Sequence, residues 1–528
     1  MYKTIYIFLI SLLASYTYAD NNPGIAFFKA SEPDVAKQLF VQQLNGPAAD
    51  KAVALYYLGE IAYEAGQSSE ALKSYQQGWE ASPDYPYNQV GIGKVVLKTD
   101  KAAASKAFDT ATKLAKKDAE LQVAIASAYH ANNMENEAQT ALDNARRLNA
   151  ASPAIYLYEG DGLMALKKPG EAAAKYEQAI HFAPDCEEAY IKYAEVYQTV
   201  TPSLSVEMLQ KVLAAHPDYL LAQRTLGNVY SQDGHYSKAI EAYRKYFAGG
   251  LYSADNLVHY ASALFFDKQY AEASKMIEEG KAKATDNFLL NRLAFYNDFE
   301  TGSYDKGVSE AKAFFSIPDG KFIWQDYLYY GRLLNQAKEY EASLSALEKA
   351  QTMSDNNSHP EIYKDIASVS INNGNDNKAI EAYTRYIEAA GEEAEALDYF
   401  QLGKYYYTAA SKDSIAGKAY LEKADSLFAI VQNRVPTSHL GSFWQARSRS
   451  MMDPETEKGL AKPYYESSIS ALEKNPDKYA KELIECYRYL GYYFYLQKEM
   501  EQSKAYWNKI LTLDPSNQMA KEALKNMK

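Results

Sequence analysis

Histidine, cysteine and tyrosine are the side chains of this 528-residue sequence with the most chemistry in them, at 7, 2 and 48 copies. No two histidines stand at a spacing that would put both imidazoles on one metal ion, and neither an HExxH motif nor a cysteine pair occurs. There is no Walker loop, no dinucleotide-binding glycine pattern after a strand and no G-x-S-x-G elbow. Gly91-Ile92-Gly93 is a pair of glycines in a helical stretch, not a phosphate cradle. The acidic pairs Glu187-Glu188 and Glu392-Glu393 lie among other charges, where such pairs form solvated helix faces. With no nucleophile, acid–base pair, metal site or cofactor motif, the chain reads as a non-enzymatic protein without a cofactor.

The tyrosines point elsewhere, because many recur at fixed offsets. Leu58-Gly59 is followed by Ala71, Tyr75 and Pro83, and Glu159-Gly160 by Ala172, Tyr176 and Pro184. Leu490-Gly491 is followed in the same register by Ser503, Trp507 and Pro515. Leu226-Gly227 with Ala239 and Tyr243, and Ile366-Ala367 with Ala379 and Tyr383, are further strong copies. Gly or Ala on a first helix admits a second helix closely. The Ala and the aromatic on that second helix fill the space, and the Pro ends it.

This spacing resembles the tetratricopeptide repeat, a helix-turn-helix unit of about 34 residues. The resemblance implies an all-α, right-handed superhelical solenoid of about thirteen repeats. The boundaries expected are a signal peptide at 1–19, a partial repeat or cap at 20–51, the repeat array at 52–516 and a capping helix at 517–528. Two places break the rhythm. Between Leu402-Gly403 and Ala424-Phe428 the spacing is longer by about nine residues, which fits an insertion or extended helices. Met452 to Thr456 stands where a short turn is expected. Asp413-Ser414-Ile415, in the first break, is similar to an O-glycosylation triplet of bacterial envelope proteins.

In this family the first helices line a concave groove. The same register places Tyr56, Tyr63, Tyr407, Tyr492 and Tyr495 there, with Arg224, Asn228, Arg332, Lys404 and Arg488 as groove-facing polar residues. Tyrosine gives a large contact area at a low entropic cost, which suits peptide or glycan recognition. Arg224 and Asn228 match one unit of the clamp by which some family members hold a C-terminal carboxylate. The next units offer His259, Leu289 and Leu293 in place of the remaining clamp residues, so carboxylate-tail recognition is not expected.

The formal charge of −12 disfavours nucleic acid and anionic membranes as partners. Lys3, an apolar run from Ile5 to Ala14, and Ala19 before Asp20 have the layout of a signal peptide cleaved after Ala19. No other stretch is apolar enough to span a bilayer, so no membrane insertion of the mature chain is expected. An exported chain with only two widely separated cysteines suits a Gram-negative periplasm. The family resemblance therefore implies a scaffold or adaptor of the bacterial envelope that holds a protein or peptide partner in its groove. The alternative is a glycan-binding envelope protein similar to SusD-like starch-utilisation proteins. Against that alternative, the lipid-acceptor cysteine is missing and the repeats run end to end.

Overall fold

The computed structural model describes residues 22–250, 252–354, 358–412 and 417–527. The expected signal peptide and Ser414 lie outside them. Every regular element among the described residues is helical: 29 α-helices and one 3-10 turn. Two short helices come first, α1 (Pro23–Lys29) and α2 (Pro33–Gln43). Thirteen helix pairs follow, from Ala48–Glu64 with Ser68–Ala81 to Ala480–Leu496 with Met500–Leu513, and then a last helix, Gln518–Asn526. Within each of its two units, most helices pack on the next in the chain, and several successive first helices also touch. The chain divides into two compact units, 1–297 and 298–528.

The glycine and aromatic offsets have the physical cause read from the sequence. A Cβ on Gly59 or Gly160 would run into the ring of Tyr75 or Tyr176. On Gly227, Gly403 and Gly491 it would come within 2.5, 2.6 and 2.8 Å of Tyr243, Phe428 and Trp507. Tyr75 is also covered from the next first helix by Gly91. Burying these rings requires their hydroxyls to be satisfied. Tyr75 donates to Glu60 Oε1 (2.6 Å), Tyr176 to Asp161 Oδ1 (2.8 Å) and Tyr243 to Asn228 Oδ1 (2.7 Å), each acceptor directly following the packing glycine. Where Ser replaces Ala in the second helix, its hydroxyl is spent on a first-helix carbonyl: Ser343 on Gly331 (2.6 Å) and Ser503 on Gly491 (2.7 Å).

The turn within most pairs is one motif. A residue in the left-handed region ends the first helix, and the next backbone N–H closes a Schellman bond, as Gln67 does to Ala62. Gly66, Gly234, Gly302 and Gly374 hold this place in four pairs; Asn133, Lys167, Lys268, Lys338 and Lys498 hold it in five more. Ser31 does the same between α1 and α2, with Glu32 N–H bonding to the Phe27 carbonyl, so this pair is built like a shortened repeat.

The two breaks in rhythm have different causes. The Ala396–Ala410 helix is followed by an 18-residue helix, Gly417–Arg434, so helix extension takes up much of the added length. The second break is a compact loop. The carboxylate of buried Asp453 accepts from the backbone of Lys458 (3.4 Å) and Leu460 (3.3 Å), and Thr456 and Gly459 turn with positive φ. At the C-terminus, Asn517 caps the last helix through Ala520 N–H (3.1 Å). Ala520, Ala523, Leu524 and Met527 join the apolar cluster of the preceding pairs. No described helix is long and apolar enough to cross a membrane.

Candidate functional site

Within the C-terminal unit, three successive first helices bring cations and aromatic rings together: Ala396–Ala410, Leu440–Met452 and Ala480–Leu496. Lys404 Nζ lies 5.9 Å from the ring centroid of Phe400 and 5.7 Å from that of Trp444. Tyr407 meets Trp444 edge-on at 5.3 Å, and burial holds its hydroxyl above the ordinary tyrosine range. The Arg447 guanidinium sits 4.8 Å from Trp444 and grips both oxygens of Glu485, at 2.8 and 2.6 Å. Tyr465 donates to the same carboxylate at 3.1 Å. This network is a pre-ordered floor, since each charge is oriented before any partner arrives.

Beyond Glu485 the same helix presents Arg488, Tyr492 and Tyr495, spaced so that all three share one face. Tyr492 is 43% exposed and Tyr495 41%. Arg488 is exposed and makes no ion pair among the described residues. Flexible cations and rigid aromatics left open beside a fixed floor are the residue types that carry binding energy at interfaces.

The other sequence-expected groove residues are engaged within the chain. Tyr56 is buried among Tyr57, Tyr75, Tyr85 and Tyr87, with ring centroids 5.0 to 6.1 Å away. Tyr63 is half-buried beneath Lys94 Nζ, 4.3 Å from its centroid, and Lys94 is itself paired with Glu60 at 2.8 Å. Arg332 donates from Nε and Nη2 to Asp365 Oδ2 at 3.0 and 2.8 Å. Asn228 is the acceptor for packing Tyr243. Arg224 is buried between Glu32 (2.9 Å) and Glu195 (3.0 Å).

The sequence reading missed Phe400, Trp444, Arg447 and Glu485. Trp444 and Arg447 precede the Asp453 loop, which interrupts the offsets that would have placed them. It also missed Glu32, whose partners are remote in the chain. Among the described residues no group of three or more His, Cys, Asp or Glu is arranged to hold a metal ion. Cys186 and Cys486 are free thiols, and burial pushes the first up to about 11 and the second higher still.

No protein-family model matches the chain, and no curated protein matches it. Solved structures do. The C-terminal part of a TPR-repeat-containing protein from Cytophaga hutchinsonii is 29% identical, covering 51% of this chain and 99% of that one, with a TM-score of 0.44. A chain of the APC/C hetero-tetramer Cut9–Hcn1 is 13% identical over 90% of this chain and 96% of its own, with a TM-score of 0.31. YrrB, a TPR protein with an unusual peptide-binding site, is 18% identical over 34% of this chain and 91% of its own, also at 0.31. Thirteen consecutive helix pairs, joined largely by one left-handed turn and closed in several of them by a first-helix glycine against a second-helix aromatic or leucine, give this chain the helix-repeat fold of tetratricopeptide-repeat proteins.

Proposed function

We propose that the chain is a non-enzymatic interaction scaffold whose C-terminal unit holds a segment of a partner protein. The observation that carries this reading is the open face of Arg488, Tyr492 and Tyr495 beside the ordered Lys404–Trp444–Arg447–Glu485 floor. Lys404 and Arg488 have no ion pair among the described residues, so the segment that fits carries carboxylates next to apolar or aromatic side chains. The layout of Lys3, Ile5–Ala14 and Ala19 supports work in the envelope after export.

The test is the double variant Arg488→Ala, Tyr492→Ala in intact cells, with a photo-crosslinking residue at position 495. The partner adduct seen with the wild type should disappear while the melting temperature stays unchanged. Full retention of the adduct refutes this face as the binding surface, and a large fall in melting temperature shows that the two side chains serve packing instead. N-terminal sequencing of the native protein should begin at Asp20; an intact Met1 refutes export by cleavage.

A further inference from the structure

The inner face of the N-terminal unit is already occupied. α1 and α2 lie against first helices far downstream, and Phe27, Val35, Leu39 and Phe40 share one apolar cluster with Ile191 and Leu221. Phe28 packs edge-on against Tyr57 at 5.3 Å, and Phe40 stacks on the same ring at 5.2 Å. Lys29 pairs with Glu188 at 2.8 Å. At the turn between α1 and α2, the Glu32 carboxylate is buried and takes three hydrogen bonds. Arg224 Nη1 (2.9 Å) and Asn256 Nδ2 (2.7 Å) donate to Oε1, and Ser253 Oγ (3.3 Å) donates to Oε2.

The donors are held in place by groups that do not belong to α1 or α2. Arg224 Nη2 donates to Glu195 Oε1 at 3.0 Å and to Thr225 Oγ1 at 3.2 Å. The Tyr246 hydroxyl donates to Asn256 Oδ1, which turns the Asn256 amide nitrogen toward Glu32. Ser253 caps the Ala254–Phe266 helix. The cradle is therefore oriented whether or not Glu32 is in it, which is the preorganisation expected of a receptor. Its occupant is slight. α1 has seven residues and α2 eleven, and residues 44–47 tie them to the first pair.

We propose that this inner face is a recognition site for a helical segment that presents one carboxylate between aromatic residues, that α1–α2 is its resident occupant, and that a partner segment of the same chemistry displaces it. The site is separate from the C-terminal face and stands or falls independently of it. The test cuts the full-length chain at a protease site placed in residues 44–47, leaving α1–α2 bound without a covalent link. A labelled peptide of residues 22–43 should then exchange in and saturate. A Glu32→Gln peptide should bind at least about tenfold more weakly, the usual worth of a hydrogen bond to a charged group. The helical circular dichroism of the remaining chain should persist. Failure of the peptide to exchange, equal binding of the two peptides, or loss of helical signal when α1–α2 departs would each overturn the proposal. Hydrogen exchange on the uncut Glu32→Gln chain gives an independent reading. Amides of 24–43 should lose protection at least about tenfold while helices 220–232 and 254–266 keep theirs, and uniform loss would mark α1–α2 as ordinary core.

Discussion

Arg224 and Arg488 stand at the same place in their repeats, three residues before the packing glycines Gly227 and Gly491. One is buried between Glu32 and Glu195, and the other is exposed without an ion pair among the described residues. The residues just after the two glycines diverge as well. Asn228 accepts the hydroxyl of Tyr243, whereas the ring against Gly491 is Trp507, which has no hydroxyl to share, and Tyr492 stays 43% exposed. Position in a repeat thus fixes which way a side chain points. What it finds there depends on what else the chain has laid against that face. The N-terminal unit has spent its inner surface on α1 and α2, and the C-terminal unit has kept part of its own open.

The strongest way to break this comparison is Arg224→Ala. It strands the buried Glu32 carboxylate, and removing one partner of a buried pair costs about 3–5 kcal/mol. Denaturant unfolding followed by hydrogen exchange should show the loss confined to the N-terminal unit; equal loss in helices 440–513 would show the two units to be one cooperative block. Gly59→Leu comes next. Its side chain must enter the space of the Tyr75 ring, and overpacking of this kind costs about 1–3 kcal/mol. Gly491→Leu, against Trp507 at 2.8 Å, should cost less and loosen the last pairs first. A reversed order would show that ring size, not closeness, sets the penalty.

A smaller effect follows pH. Burial alone would raise the Asp398 carboxyl, but Lys364, the Glu395 N–H and the Tyr383 hydroxyl outweigh it and hold the group below the ordinary aspartate value. Its contribution to stability is therefore complete above the ordinary value of about 3.9 and fades as pH falls through the lowered one. Asp398→Asn should flatten the acid limb of the C-terminal unit's unfolding curve; an unchanged limb would assign it to other carboxylates. The smallest expected effect on stability is that of Arg488→Ala with Tyr492→Ala, within about 0.5 kcal/mol for each exposed position. A larger loss, measured by thermal melting, would mean that this face is closed too.

Much of the architecture was legible because its cause is local. A glycine and an aromatic sixteen positions apart, as in Gly59 and Tyr75, meet within one helix pair, so the contact is written into the spacing. Glu32 and Arg224 are 192 positions apart, and a single sequence carries no periodic trace of such a meeting. Tyr56 was misleading for a related reason. Its register faces inward, but Tyr85 of the following turn and Tyr87 of the next pair close over it. The Arg447–Glu485 pair was hidden because the Asp453 loop lies between the two helices and shifts the count.

The left-handed turn has a consequence for how such a chain ages. Glycine holds that place four times, while Ser31, Asn133, Lys167, Lys268, Lys338 and Lys498 hold it in the other six. Asparagine tolerates this conformation, but each serine or lysine in it costs about 1–2 kcal/mol, more than the local sequence would accept unaided. The flanking helices impose the bend regardless of which residue sits in it. Copies of the unit can therefore drift apart in spelling while their shape stays common, and a lineage of such proteins would keep its form long after its letters had ceased to match.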